Sequence, residues 1–171
     1  MKCPKCGMGY VSGLTEDEDN HLQYCDLIVN GPPLDILEGE CVIWSKANDR
    51  ILLVTDNSPE EQRKLAQDAS ICANYEMHYD LGIYRHYDPP DERQVQIFLY
   101  VRASRVVGIC LIERRTAVWR CTWNANEHPI CVEQPKITSM WSAGFVWVHN
   151  QCRQTGIAYT LFKEAKRTLN L

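Results

Sequence analysis

Four metal-capable side chains in the first 25 residues constrain this chain more than anything else in it: Cys3, Cys6, His21 and Cys25, spaced C-x2-C-x14-H-x3-C. Two residues between cysteines let both sulfurs of one turn reach a single ion. His21 and Cys25 are four apart and project from the same face of a helix. Together they offer a tetrahedron of soft and borderline ligands, the pattern of closed structural Zn2+ sites. A unit this small cannot fold on its own core, and zinc contributes about 10–16 kcal/mol to such peptides. Cys3-Pro4-Lys5-Cys6-Gly7 reads as a tight turn and Met8–Ser12 as a short strand. Thr15-Glu16-Asp17-Glu18 reads as a capping box with Thr15 as cap, opening a helix over Glu16–Val29 whose acidic first turn suits the dipole. Gly31-Pro32-Pro33 then marks a boundary. Residues 1–30 are therefore expected to form a ββα finger.

The finger does not read as one that reads DNA. Its Lys2 and Lys5 face Glu16, Asp17, Glu18, Asp19 and Asp26, and the whole chain carries a net charge of −4, so phosphate would be repelled. Nine cysteines, an odd number, behind an N-terminus without an apolar signal core argue against a disulfide scaffold and for an intracellular protein. Cys41, Cys72, Cys110, Cys121, Cys131 and Cys152 follow no spacing and read as small buried hydrophobes. The longest apolar run, Val106–Ile112, is far short of the ~20 residues a spanning helix needs, so no membrane partner is expected.

Beyond the boundary, Glu40–Lys46 and Arg50–Asp56 read as a hairpin around Ala47-Asn48-Asp49. Ser58-Pro59-Glu60-Glu61 opens a helix, with Ser58 as cap and Pro59 as its first residue. Leu65, Ala69, Cys72, Ala73 and Met77 recur along it at helical spacing, and it ends near Leu81-Gly82. Gln94–Val101 and Val106–Cys121 form a second strand pair. Trp123–Ser139 is aperiodic, holds two prolines and reads as a loop. Trp141–His149 is a strand, and Gly156–Leu169 a closing helix. The order ββαββ, loop, βα predicts a mixed sheet with flanking helices over residues 38–171, of class α/β or α+β, and α+β is the fold expected.

The strand Val146-Trp147-Val148 runs through a short loop into Arg153-Gln154-Thr155-Gly156-Ile157-Ala158, the start of a helix. Amides at a helix N-terminus bind diphosphate, Gly156 and Ala158 let phosphate approach, and Arg153 adds a fixed charge. The segment resembles the acetyl-CoA cradle of GNAT-like acetyltransferases. Taken with the finger, the chain resembles the ESCO family of cohesion-establishment acetyltransferases. The likeness lies in CPKCGMGY…EDEDNHLQYC, RILLVTDNSPEEQRKLAQDA, RVVGICLIE and FVWVHNQCRQTGIAYTLFKEAKR.

That resemblance implies a nuclear protein-lysine N-acetyltransferase that takes acetyl from acetyl-CoA and passes it to the SMC subunit of cohesin, or to another chromatin protein. It implies Cys3, Cys6, His21 and Cys25 as zinc ligands, with Cys25 where the family has histidine. Val146, Trp147 and Val148 match the strand that contacts the acetyl and pantetheine groups. Arg153, Gln154, Thr155, Gly156, Ile157, Ala158 and Tyr159 match the diphosphate loop. Two positions depart from the pattern. Gly144-Phe145 stand where the family has Ser-Arg, and the family continues into strands bearing Phe-Ser-Asp-Pro-Thr-Pro, whose Asp serves catalysis, whereas this sequence reaches Leu171 first. The acetyltransferase domain is thus expected to lack the usual C-terminal strands.

Chemistry says why that motif matters. At pH 7 only about 1 in 2,500 lysines is a free amine, a handicap of roughly 5 kcal/mol unless a base or the site's field removes the proton. His149 and Glu113 are candidates for that base by residue type alone, and a backbone N–H near Val146 is the expected oxyanion donor. The alternative is a catalytically impaired finger-plus-pseudo-acetyltransferase module that binds chromatin proteins.

Overall fold

The computed structural model describes residues 1–34, 39–78, 94–118, 121–123, 129–131 and 136–171. Helix α1 spans Thr15–Asn30. The acidic start does cap it, by another route than the expected box. Glu18 reaches back to the Gly13 amide (2.9 Å) and Asp17 to the Val11 amide (2.9 Å), while Leu14 holds the cap position and Thr15 is already helical. Before the helix, the expected finger strands are reduced to one bridge, Lys2 with Gly9.

Strands β1 (Val42–Lys46) and β2 (Asp49–Thr55) form the expected hairpin. Helix α2 spans Glu60–Met77 with Pro59 at its cap position. Ser58 instead accepts from the Thr55 amide (3.0 Å) and closes the β2–α2 turn. The expected end of this helix at Leu81-Gly82 lies outside the described residues. Strands β3 (Val95–Arg102) and β4 (Arg105–Val118) are joined by Ala103-Ser104, both at positive φ, as a tight two-residue hairpin demands.

Within the span expected as a loop, 123–139, the described residues are strand. Strands β5 (Cys121–Trp123) and β6 (Pro129–Cys131) pair with each other, and β7 begins at Lys136 and runs to Val148. The early half of β7 follows the far end of β4, pairing Lys136 with Val118 and Met140 with Arg115. A strand extended by a long neighbour needs no apolar alternation of its own, which is why periodicity missed it. Helix α3 spans Ile157–Leu169.

The main sheet runs β1-β2-β3-β4-β7, and every pairing described is antiparallel. Alternation along each strand divides two cores. Ile97, Leu99, Ile109, Leu111 and Trp147 face α2, which presents Leu65, Ala69, Cys72 and Ala73. Phe98, Tyr100, Val107 and Cys110 face α3, which presents Ile157, Leu161 and Ala165. Each such aliphatic or aromatic side chain contributes about 1.5–3 kcal/mol by leaving water.

The finger is bolted to this sheet. Gly31 ends α1 at φ +77°, and a side chain there would collide with the Val106 carbonyl oxygen. Only glycine fits. The backbone then zips along β4: the Val106 amide donates to Pro32 O (2.9 Å) and the Leu34 amide to Ser104 O (2.9 Å). Arg105 grips Asp26 (2.7 Å) and the Gly31 carbonyl (2.9 Å), and the Cys72 thiol donates to Leu27 O (3.2 Å).

Candidate functional site

The turn closed by the Gly7 amide on Cys3 O (2.9 Å) brings Cys3 and Cys6 together, and one turn of α1 separates His21 from Cys25. The four ligand atoms all lie within 4.8 Å of one another. Cys3 and Cys25 Sγ are 3.9 Å apart, against about 3.8 Å for the edge of a tetrahedron with Zn–S bonds of ~2.3 Å. His21 stacks on Tyr10 at 4.1 Å, almost parallel, and its Nε2 is buried with no hydrogen-bond partner. A metal ion is what such an atom wants. The Cys6 amide, and then His21, lower the Cys3 thiol to about 6, while burial, and then the neighbouring thiols, raise Cys25 to about 11. The donor set fits zinc.

The second site is built from backbone. The His149 amide donates to Val107 O (2.9 Å), and Trp147 and Phe145 lie opposite Ile109 and Leu111. In an antiparallel ladder alternate residues turn both backbone groups to the same neighbour. His149, Trp147 and Phe145 therefore face β4, and the N–H and C=O of Val146 and Val148 face the other edge of β7. Among the described residues that edge carries no strand. Arg153 folds back to it, donating from Nε to Val148 O (3.0 Å).

After β7 comes one 3-10 turn, Asn150–Cys152. Gln154 and Gly156 then take positive φ (63° and 82°) to aim the chain into α3. No side chain caps α3, so the amides of Ile157, Ala158 and Tyr159 have no capping acceptor. Thr155 is tied to Cys152 O (2.6 Å), and Gln154 and Tyr159 are exposed. The structure thus brings the sequence-derived residues 146–148 and 153–159 to one corner, where amide dipoles, a guanidinium and the outward backbone groups of Val146 and Val148 converge.

Glu76, which the sequence reading missed, completes that corner. Its Oε2 accepts from Trp147 Nε1 (3.0 Å) and also pairs with Arg153. One carboxylate at the end of α2 thereby fixes both the strand and the cation of the loop. A signal existed: positions 65, 69, 72, 73 and 76 fall on one helical stripe, and a carboxylate on an apolar stripe has a reason to be there.

The two candidate bases are not brought together. Glu113 is buried, ion-paired with Arg115 and opposite Ser142. His149 is 2 % exposed, stands edge-on to Trp147 at 5.9 Å and accepts weakly from the Gln151 amide at Nδ1 (3.4 Å). At about 3.3 Å per residue, the seven positions from Ser142 to His149 separate them by about 20 Å, so they cannot serve one reacting atom.

A small Cys/His finger docked on a five-stranded antiparallel sheet with flanking helices is the class of architecture this chain defines. Two solved structures share the fold. The xEco2 acetyltransferase domain superposes with a TM-score of 0.60 at 16% identity, covering 78% of this chain and 76% of that one. The same domain bound to K105-CoA conjugate gives 0.61 at 16%, covering 77% and 76%. Residues 1–27 match the family described as zinc-finger of acetyl-transferase ESCO. N-acetyltransferase ECO1 of Candida glabrata is 25% identical over 97% of this chain and 72% of that protein. Its namesake from Kluyveromyces lactis is 23% identical over 98% and 74%. N-acetyltransferase ESCO2 of Mus musculus is 28% identical over 64% of this chain and 18% of that protein. The chain is thus similar over nearly its whole length to N-acetyltransferases named ECO1, and its first 27 residues match the finger of the ESCO family.

Proposed function

We propose that this chain is a protein-lysine N-acetyltransferase that uses acetyl-CoA and acts in the nucleus on the SMC subunit of cohesin or another chromatin protein, with Cys3, Cys6, His21 and Cys25 holding a structural Zn2+. The domain limits follow: a finger over residues 1–30 and an acetyltransferase domain over 38–171. One observation carries the reading. The free edge of β7, at Val146 and Val148, leads directly into the uncapped N-terminus of α3.

Acetyl-CoA supplies the activated acetyl thioester. The amides of Ile157, Ala158 and Tyr159, with Arg153, suit its diphosphate. Gln154, Thr155 and Gly156 shape the turn that presents those amides. The outward groups of Val146 and Val148 suit the amides of an extended pantetheine arm, and the Val146 N–H is the donor available to an oxygen that gains charge during acyl transfer. Trp147 anchors the strand from the opposite face through Glu76. No base is assigned among the described residues. Transfer of labelled acetyl from acetyl-CoA to purified cohesin subunits tests the proposal, and transfer absent with zinc-loaded protein that still binds the cofactor would defeat it.

The second reading, a binding module that no longer catalyses, draws on one observation. Arg153 is already engaged by Glu76 and by Val148 O. Thermal shift separates the two: stabilisation by acetyl-CoA that Arg153→Glu abolishes supports the enzyme, and none supports the module.

A further inference from the structure

We propose that the zinc finger forms part of the cofactor site: Lys5, within the metal-binding turn, supplies positive charge to a cleft shared with Arg153, and the cleft holds phosphates of a coenzyme A-type nucleotide. This rests on the acetyl-CoA reading above and extends it to a residue outside the acetyltransferase sheet.

A cavity of about 540 Å³ lies where the finger, the end of α2 and the β7–α3 loop meet. Lys5, Tyr75, Glu76, Asn150, Gln151 and Arg153 line it, over the last turn of α1. Its size suits part of a nucleotide. Its polar lining is rich in donors: an ammonium, a guanidinium, a phenol and two amides. The single carboxylate among these residues, Glu76, is already occupied by Trp147 Nε1 and Arg153. A donor-rich cavity with a formal lining charge of +1 from Lys5, Arg153 and Glu76 selects an anion. The α3 amides begin only a few residues beyond Arg153, so the same corner offers a second set of donors to a ligand with several phosphates.

The placement of Lys5 is specific. Apart from Lys2, the finger's other formal charges are acidic, yet Lys5 lines the same cavity as Arg153. Tyr75 props it there: a side-chain carbon added at Gly7 would lie 3.5 Å from the Tyr75 hydroxyl, so α2 sits directly beneath the metal-binding turn. The contacts of Gly31, Arg105 and Asp26 fix the finger against β4, which keeps Lys5 at the cleft.

Calorimetric titration of the zinc-loaded chain tests this, with acetyl-CoA and adenosine bisphosphate (the phosphate-bearing end of the cofactor) as ligands. Lys5→Glu should weaken both by about tenfold, and Lys5→Arg should restore both to within about twofold. Lys46→Glu makes the same charge change on β1, at the opposite edge of the sheet, and should move neither by more than about twofold. Zinc content and helicity are measured on each variant, and Lys5→Gln replaces Lys5→Glu should charge reversal disturb the finger. Wild-type affinity in Lys5→Glu, or an equal loss in Lys46→Glu, overturns the proposal and leaves the acetyl-CoA reading standing. A wild-type chain silent to acetyl-CoA overturns that reading and this one with it. Displacement of the cofactor by polyglutamate at comparable affinity would assign the cleft to an acidic protein segment instead, and also overturns the proposal.

Discussion

The two ends of the molecule's functional corner are built by opposite means. At the finger, four side chains at fixed spacing converge on a point, with Cys3 and Cys6 set into the margin of the core that faces α2. At the β7–α3 corner the chemistry resides in main-chain groups, held in place by Trp147, Ile157 and Leu161, all buried in the two cores. A site made of side-chain ligands depends on its ion. One made of backbone depends on the packing that orients the backbone.

Chelation should give the largest effect. Stripping zinc should unfold α1 and, because the finger is zipped to β4, lower the melting temperature of the whole domain by more than about 10 °C. Circular dichroism with a chelator measures it, and an unchanged sheet transition would break the link between the two regions. Leu161→Ala comes next. This fully buried α3 residue should cost about 2–5 kcal/mol, or roughly 5–15 °C, and should leave zinc stoichiometry intact. Arg153→Glu should weaken acetyl-CoA binding by about 10–100-fold with little change in melting temperature, as loss of a charge-assisted contact implies. Equal affinity in the variant would remove Arg153 from the site.

The smallest effect probes the seam between the regions. Hydrogen bonding by Arg105, and then Asn30, holds the Asp26 carboxyl below its ordinary value. A depressed folded value means the pair stabilises fully above the unfolded carboxyl's value near 4 and loses that contribution as pH falls through the folded one. Both partners are partly exposed, so the pair contributes under about 1 kcal/mol. Acid melts of Asp26→Asn should run slightly below wild type at pH 7 and converge with it as pH falls through the lowered folded value of the carboxyl.

That same contrast governs what the sequence could disclose. The convergence of Cys3, Cys6, His21 and Cys25 was legible because their spacing is local and chemical. The hairpin around Ala47-Asn48, helix α3 and the two-faced pattern of β3 were legible from turn residues and periodicity. Hidden were features set by distant partners. The early half of β7 is a strand because β4 extends beside it. Glu76 matters because it meets Trp147 and Arg153, 71 and 77 residues away. The helix caps shifted because Glu18 and Asp17 found earlier amides than the box pattern supposes. Glu113 and His149 were named by type, and only the register shows Glu113 on β4 opposite Ser142, seven positions along β7 from His149.

The grip of Arg105 on Asp26 joins positions 79 residues apart. All four metal ligands leave the ribosome well before the strand that carries Arg105, an interval of about 4–16 s at translation speeds of ~5–20 residues per second. The four residues of the candidate metal site are thus free to take an ion before the strand they dock on exists.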